Sequence, residues 1–181
     1  MKTICIFCSI NEVENKYIVD ASALAQLIGE NGYDLVWGGA NNGLMKVVAD
    51  GVQNAGGKLI GVTSILLQHK KRTNADEMII VENISQTKAE LIKRSDAFVL
   101  LPGGTGSLDE ICEVIELKKH NLHTKPIVIL NTDDFYEGLK TQFERMEREG
   151  FLQKKLNEFL FFAKDPDEVI NHIKRSFDAN E

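Results

Sequence analysis

The chain has 181 residues and a formal charge of −6, with 43% apolar and 27% charged residues, which fits one soluble globular domain over 1–181. The negative balance excludes a surface devoted to a nucleic acid polymer, whose phosphates Lys and Arg would have to neutralise. No run approaches the ~20 apolar residues needed to span a bilayer, and neither end reads as a secretory leader, so a cytoplasmic setting with no membrane partner is expected.

Short β-rich runs alternate with helical segments, which predicts an α/β fold: a Rossmann-like three-layer sandwich, with a mainly parallel sheet of about seven strands and helices on both faces. Residues 3–8 read as the first strand. Tyr17, Ala21, Leu24, Ala25 and Ile28 recur at helical spacing in a helix from near Val13 that closes at Asn31-Gly32. Residues 34–37 form a second strand, 38–43 a glycine loop, 44–54 a helix ended by Gly56-Gly57, and 58–62 a third strand. Residues 64–76 are polar and basic without periodicity and read as a surface excursion. A strand over 78–81 precedes a helix over 86–94 with Ser85 as its N-cap. The strand 97–101 turns through Pro102-Gly103-Gly104-Thr105-Gly106 into a helix over 107–119. A buried strand over 127–130, a helix over 135–149 and a strand over 159–162 follow. Asp165-Pro166-Asp167-Glu168 opens the last helix, with an Asp cap, proline at the first position and Glu at the third.

Ligands of open α/β sheets bind outside the carboxyl ends of the strands, where both glycine loops fall. The amides of 103–107 can converge on an anion in front of the helix that follows, so a phosphate is the natural ligand and the two loops could hold opposite sides of one nucleotide. The loop 38–43 has the glycine spacing of a nucleotide-triphosphate loop but continues as Leu44-Met45, without the required lysine. The first strand runs into Ser9-Ile10-Asn11-Glu12 rather than GxGxxG, which argues against dinucleotide redox chemistry. Ser107 and Glu110 fit two roles. They could form a capping box, or Ser107 could contact phosphate while Glu110, one sugar further along, stabilises oxocarbenium-like charge or deprotonates water at an anomeric carbon.

Other residues also admit two readings. Cys5 and Cys8 spell CxxC, but alternate along a strand and so suit core packing rather than redox or metal chemistry. Trp37 fits either a base pocket or the core, and Lys70-Lys71-Arg72 either a solvated loop or a lid over ligand. His120 and His123 lack a completing metal-ligand set and read as surface groups. Glu113 and Glu116 follow Glu110 along one helix, where Glu113 could orient Glu110 or raise its pKa.

Pro102 to Glu110 resembles the PGGxGTxxE motif of the Lonely Guy family of cytokinin riboside 5′-monophosphate phosphoribohydrolases, many once labelled lysine decarboxylases, with Ser107 in place of threonine. Gly38-Gly39 with Gly43-Leu44-Met45 is similar to the family's GGxxxGLM segment, and Cys8-Ser9 to its Cys-Gly-Ser type turn. Lys125-Pro126-Ile127 and Gly150-Phe151-Leu152 match further landmarks. The resemblance implies hydrolysis of the N-glycosidic bond of AMP or an N6-modified AMP to free base and ribose 5-phosphate. Glu110 and Lys88 would be catalytic. Ser9, Gly38, Gly39, Gly43, Met45, Gly103, Gly104, Thr105, Gly106, Ser107 and Glu113 would hold the nucleotide. No metal or organic cofactor is implied, the partner is the small nucleotide, and a homodimer is expected. The decarboxylase label is set aside because that reaction commonly needs pyridoxal phosphate on a lysine, and no such site is marked. One departure matters: Thr87 stands where the family places an arginine beside Lys88, and threonine has neither its charge nor its forked donors. Arg94, seven residues on, shares the helix face and either substitutes for it or is an ion-paired surface residue. The alternative reading is a nucleotide-binding or sensing protein without turnover.

Overall fold

The computed structural model describes residues 1–179, so the last two residues of the expected 1–181 span lie outside it. Seven strands form β1 (Thr3–Phe7), β2 (Asp34–Trp37), β3 (Leu59–Ser64), β4 (Glu77–Val81), β5 (Ala97–Leu100), β6 (Ile127–Leu130) and β7 (Phe161–Ala163). They make one sheet in the order β4-β3-β2-β1-β5-β6-β7, parallel throughout. Strands β2, β5 and β6, apolar throughout except for Asp34 at the start of β2, are buried end to end, as strands covered on both faces must be.

Helices α1 (Asn15–Glu30), α2 (Gly43–Asn54) and α7 (Pro166–Asp178) cover one face. Their Leu24, Ile28, Val48, Val52, Val169 and Ile173 pack against Ile4, Ile6 and Leu35 of the sheet. On the other face lie α3 (Ile84–Lys93), α4 (Thr105–Lys119) and α5 (Glu137–Arg148). There Leu91, Ile111, Val114 and Phe143 meet Cys5, Phe7, Val36 and Phe98. The fold is the Rossmann-like three-layer sandwich that the alternating pattern predicts. Cys5 and Cys8 fall in opposite cores, and burial raises both thiols above their ordinary values. No helix among the described residues is long and apolar enough to cross a membrane.

Local chemistry shifts several boundaries. The N-cap of α3 is Asn83 rather than Ser85: its side chain accepts from the Gln86 amide at 2.9 Å, which starts the helix two residues early and leaves Ser85 inside it. Strand β3 runs past its apolar stretch to Ser64 because its amides keep pairing with β4. Residues Leu156–Phe159 wind into a short helix, α6, so β7 begins at Phe161 instead of residue 159. Asp165 caps α7 as expected, accepting from the Glu168 amide at 2.8 Å.

From β1 the chain builds outward to β4, then crosses back to place β5 on the other side of β1. The loops after β1 and β5 therefore diverge, and the crevice they leave at the carboxyl end of the sheet is where such folds bind ligands.

Candidate functional site

A cleft of about 410 Å³ occupies that crevice, within the range typical of small-molecule sites. One wall is the start of α4. The helix is capped by Gly104, and its first internal bond runs from the Leu108 amide to the Gly104 carbonyl at 3.1 Å. The amides of 105–107 precede that bond, so they lack helical acceptors and can be offered to an anion. Gly104, Thr105, Gly106 and Ser107 all line the cleft.

The capping-box role of Ser107 and Glu110 is not realised. Because α4 begins at Thr105, Ser107 sits at the third helical position and is 5% exposed, and no side chain caps the helix. Ser107 packs so closely on Gly103 that a Cβ there would overlap its hydroxyl and Cβ. Gly103→Ala is thus expected to destabilise the protein by about 1–3 kcal/mol, the usual cost of overpacking. Adding Ser107→Gly should recover part of the loss, with urea denaturation as the readout for both.

Glu110 lies one turn into α4 and lines the cleft. Among the described residues no hydrogen bond or salt bridge engages its carboxylate. Burial pushes its pKa up to about 7, Asp109 adds to the rise, and Lys88 partly offsets it. Glu113 does not contribute. It pairs instead with Lys88 at 2.6 Å, while Asp109 holds the same ammonium at 2.9 Å. These two bonds raise the Lys88 pKa. Lys88 lines the cleft from α3 beside Thr87, whose hydroxyl donates back to the Asn83 carbonyl at 3.2 Å. Arg94 is no substitute for the absent arginine. It is held by Glu90 at 3.1 Å and Glu77 at 3.3 Å and does not line the cleft.

The opposite wall comes from the loops after β1, β2 and β3. Ser9, Gly38 and Met45 face the cleft, and Gly39, Gly43, Gly103 and Glu113 do not. Gly39 and Gly43 shape the loop instead, both with positive φ. A Cβ on Gly43 would collide with the Asn11 carbonyl and the Ile10 backbone. Trp37 is fully buried, its indole N–H donating to the Ala40 carbonyl at 3.3 Å, so it belongs to the core.

The basic excursion is not simply a solvated loop. Arg72 is 5% exposed and its guanidinium donates to Asp50 at 2.6 Å, Gln53 at 2.8 Å and Asn41 at 3.1 Å. This network pins the excursion to α2 and brings Leu67 and Lys70 into the cleft wall. Thr63, Ser64 and Asn11 also line it and were not singled out from sequence. The rule that ligands meet strand carboxyl ends pointed to Thr63 and Ser64, had β3 been carried to its full length. His123 is half-buried rather than a surface group, with Nε2 at 2.9 Å from the Val114 carbonyl. Among the described residues no cluster of three or more His, Cys, Asp or Glu could hold a metal ion.

Residues 45–173 match the family model described as "Possible lysine decarboxylase". The chain is 33% identical to the probable cytokinin riboside 5′-monophosphate phosphoribohydrolase LOGL2 of Oryza sativa subsp. japonica, over 96% of this chain and 72% of that one. It is 32% identical to the cytokinin riboside 5′-monophosphate phosphoribohydrolase LOG5 of Arabidopsis thaliana, over 99% and 80%. The chain belongs to the Lonely Guy family. Solved structures share the Lonely Guy fold at lower identity. The molybdenum cofactor binding protein of Rippkaea orientalis matches with a TM-score of 0.76 at 23% identity, over 96% of both chains. The molybdenum cofactor carrier protein of Chlamydomonas reinhardtii matches with a TM-score of 0.73 at 21% identity, over 97% and 98%.

Proposed function

We propose that this chain hydrolyses the N-glycosidic bond of nucleoside 5′-monophosphates, AMP and N6-substituted AMP among them, to free base and ribose 5-phosphate. The observation that carries this reading is the unpartnered, half-buried carboxyl of Glu110, raised to about 7, one turn beyond a helix start with open amides. The amides of 105–107 and the Ser107 hydroxyl take the phosphate, and the helix dipole favours its charge. Glu110 then faces the sugar. As water bonds to C1′, the carboxylate takes its proton and stabilises the positive charge of the oxocarbenium-like transition state. The electron pair of the C1′–N bond leaves with the base, which is protonated by solvent. Lys88, held by Asp109 and Glu113, anchors the carboxylate pair that flanks Glu110 in sequence.

A second reading, binding without turnover, has an observation of its own. Thr87 lines the cleft at the position where the resemblance places the family's arginine, and the cations of the same helix turn and end, Lys88 and Arg94, are both neutralised by carboxylates. The architecture does not choose between them, since proteins named as carriers share it. Purified protein incubated with AMP or an N6-substituted AMP, with free base and ribose 5-phosphate followed by chromatography, separates the two. Base release by the native chain is the expected result. Nucleotide binding without release, with activity gained in Thr87→Arg, would establish the binding protein instead.

A further inference from the structure

Ser64, the last residue of β3, is 1% exposed, yet its Oγ meets no hydrogen-bonding partner in the protein. A buried hydroxyl left so carries an uncompensated desolvation penalty, and such groups cluster where a ligand completes the bonding. Ser64 lines the cleft together with Thr63, Leu67 and Lys70. Among the described residues no carboxylate pairs with the Lys70 ammonium. The wall therefore holds two hydrogen-bond donors without acceptors, flanked by apolar surface.

Strand pairing fixes where this wall stands. Ile60, Val36, Cys5 and Phe98 form one row across the sheet, and Ser64, Ser9 and Pro102 each come four residues after their member of that row. By strand alternation Ser64 points to the same face as Ile60 and Val62, the face that carries α3 and α4. Three strand spacings separate β3 from β5, about 14 Å. A nucleotide whose phosphate sits at 105–107 thus meets Ser64 with its far end, the edge of its base.

We propose that Ser64 and Lys70 read the exocyclic edge of the base and select an oxo group there, making 6-oxopurine nucleotides the preferred class. An ammonium only donates, so Lys70 discriminates in favour of an oxo group, and the Ser64 hydroxyl, which can donate or accept, gives that group a second donor. The amino group of AMP would present its own donors to the ammonium. This rests on the phosphate cradle of the preceding reading and narrows its substrates.

The test is calorimetric titration of IMP, AMP and ribose 5-phosphate into the Glu110→Gln protein, which removes turnover, with Ser64→Ala and Lys70→Met added separately. IMP is expected to bind about tenfold more tightly than AMP, the worth of one good hydrogen bond to a polar edge. Each added substitution should erode that preference while leaving ribose 5-phosphate affinity unchanged. AMP binding as tightly as IMP, or a preference that survives Lys70→Met, would overturn the assignment with the cradle intact. Failure of ribose 5-phosphate to bind would overturn the cradle itself, and the base assignment with it.

Discussion

Glu110→Gln is expected to lower the rate of base release from AMP by about a hundred- to ten-thousandfold, the range for losing a general base, with nucleotide binding nearly unchanged. The amide is isosteric and keeps the packing of α4, so lost activity reports the proton-accepting role rather than a damaged fold. The pH dependence gives a second check. Burial raises the carboxyl to about 7, Asp109 adds to this, and Lys88 opposes it. A base works when ionised, so kcat/KM should climb as pH rises towards about 7 and level off above it. A profile that instead falls through neutrality would mean that Glu110 acts as an acid on the leaving base. Stability should move the other way. A folded-state pKa above the unfolded one favours folding at low pH and loses that contribution as pH rises through the folded value. Glu110→Gln should therefore raise the denaturation midpoint at pH 8 more than at pH 5.

Asp50→Ala is expected to cost about 3 kcal/mol of stability at pH 7, near the low end for breaking a buried pair because Asp50 is itself partly exposed. The loss falls on Arg72, whose guanidinium would keep Asn41 and Gln53 but lose its counter-charge. Burial tends to raise the Asp50 carboxyl, but hydrogen bonds from Lys46 and Arg72 outweigh it and hold it below its ordinary value. The pair's contribution is then present above the unfolded carboxylate value and fades as pH falls through the lowered one. The penalty of Asp50→Ala, measured by urea denaturation, should accordingly shrink in acid. A penalty that is small at pH 7 would show that Arg72 finds enough support from the two amides alone. Because Arg72 tethers the excursion that carries Leu67 and Lys70, the same variant should weaken binding of a whole nucleotide more than binding of ribose 5-phosphate.

The sheet and the open helix start after β5 were legible because they depend on local pattern. Apolar runs bounded by glycine predict buried parallel strands, and a Pro-Gly-Gly turn at a strand's carboxyl end predicts open amides. The distal wall was not legible, for a physical reason in each case. Lys70-Lys71-Arg72 reads as solvated charge, and only folding brings Asp50 and Gln53 of α2 against Arg72. Ser64 lies beyond the apolar stretch of its strand, and its place in the sheet comes from pairing with Val81. Ser107 and Glu110 have capping-box spacing, but the helix starts at Thr105, which moves Ser107 from the cap into the buried first turn. Glu113 was linked to Glu110 by helical spacing, whereas the ammonium of Lys88, from another helix, takes it.

The crossing from β4 back to β5 divides labour as well as topology. Everything proposed to meet phosphate and the reacting carbon comes from the chain after residue 83, and the wall that meets the base comes from the chain before it. On the proposed reading, substrate choice and reaction chemistry are written in separate stretches of sequence that face each other across the crevice and are joined beneath it by the pairing of β1 with β5. A lineage carrying this fold could exchange one base for another by altering the ends of β2 and β3 while the half proposed to hold the phosphate and sugar stays as it is. A change confined to α3, where Thr87 lines the cleft, would alter the chemistry and leave that shaped wall untouched.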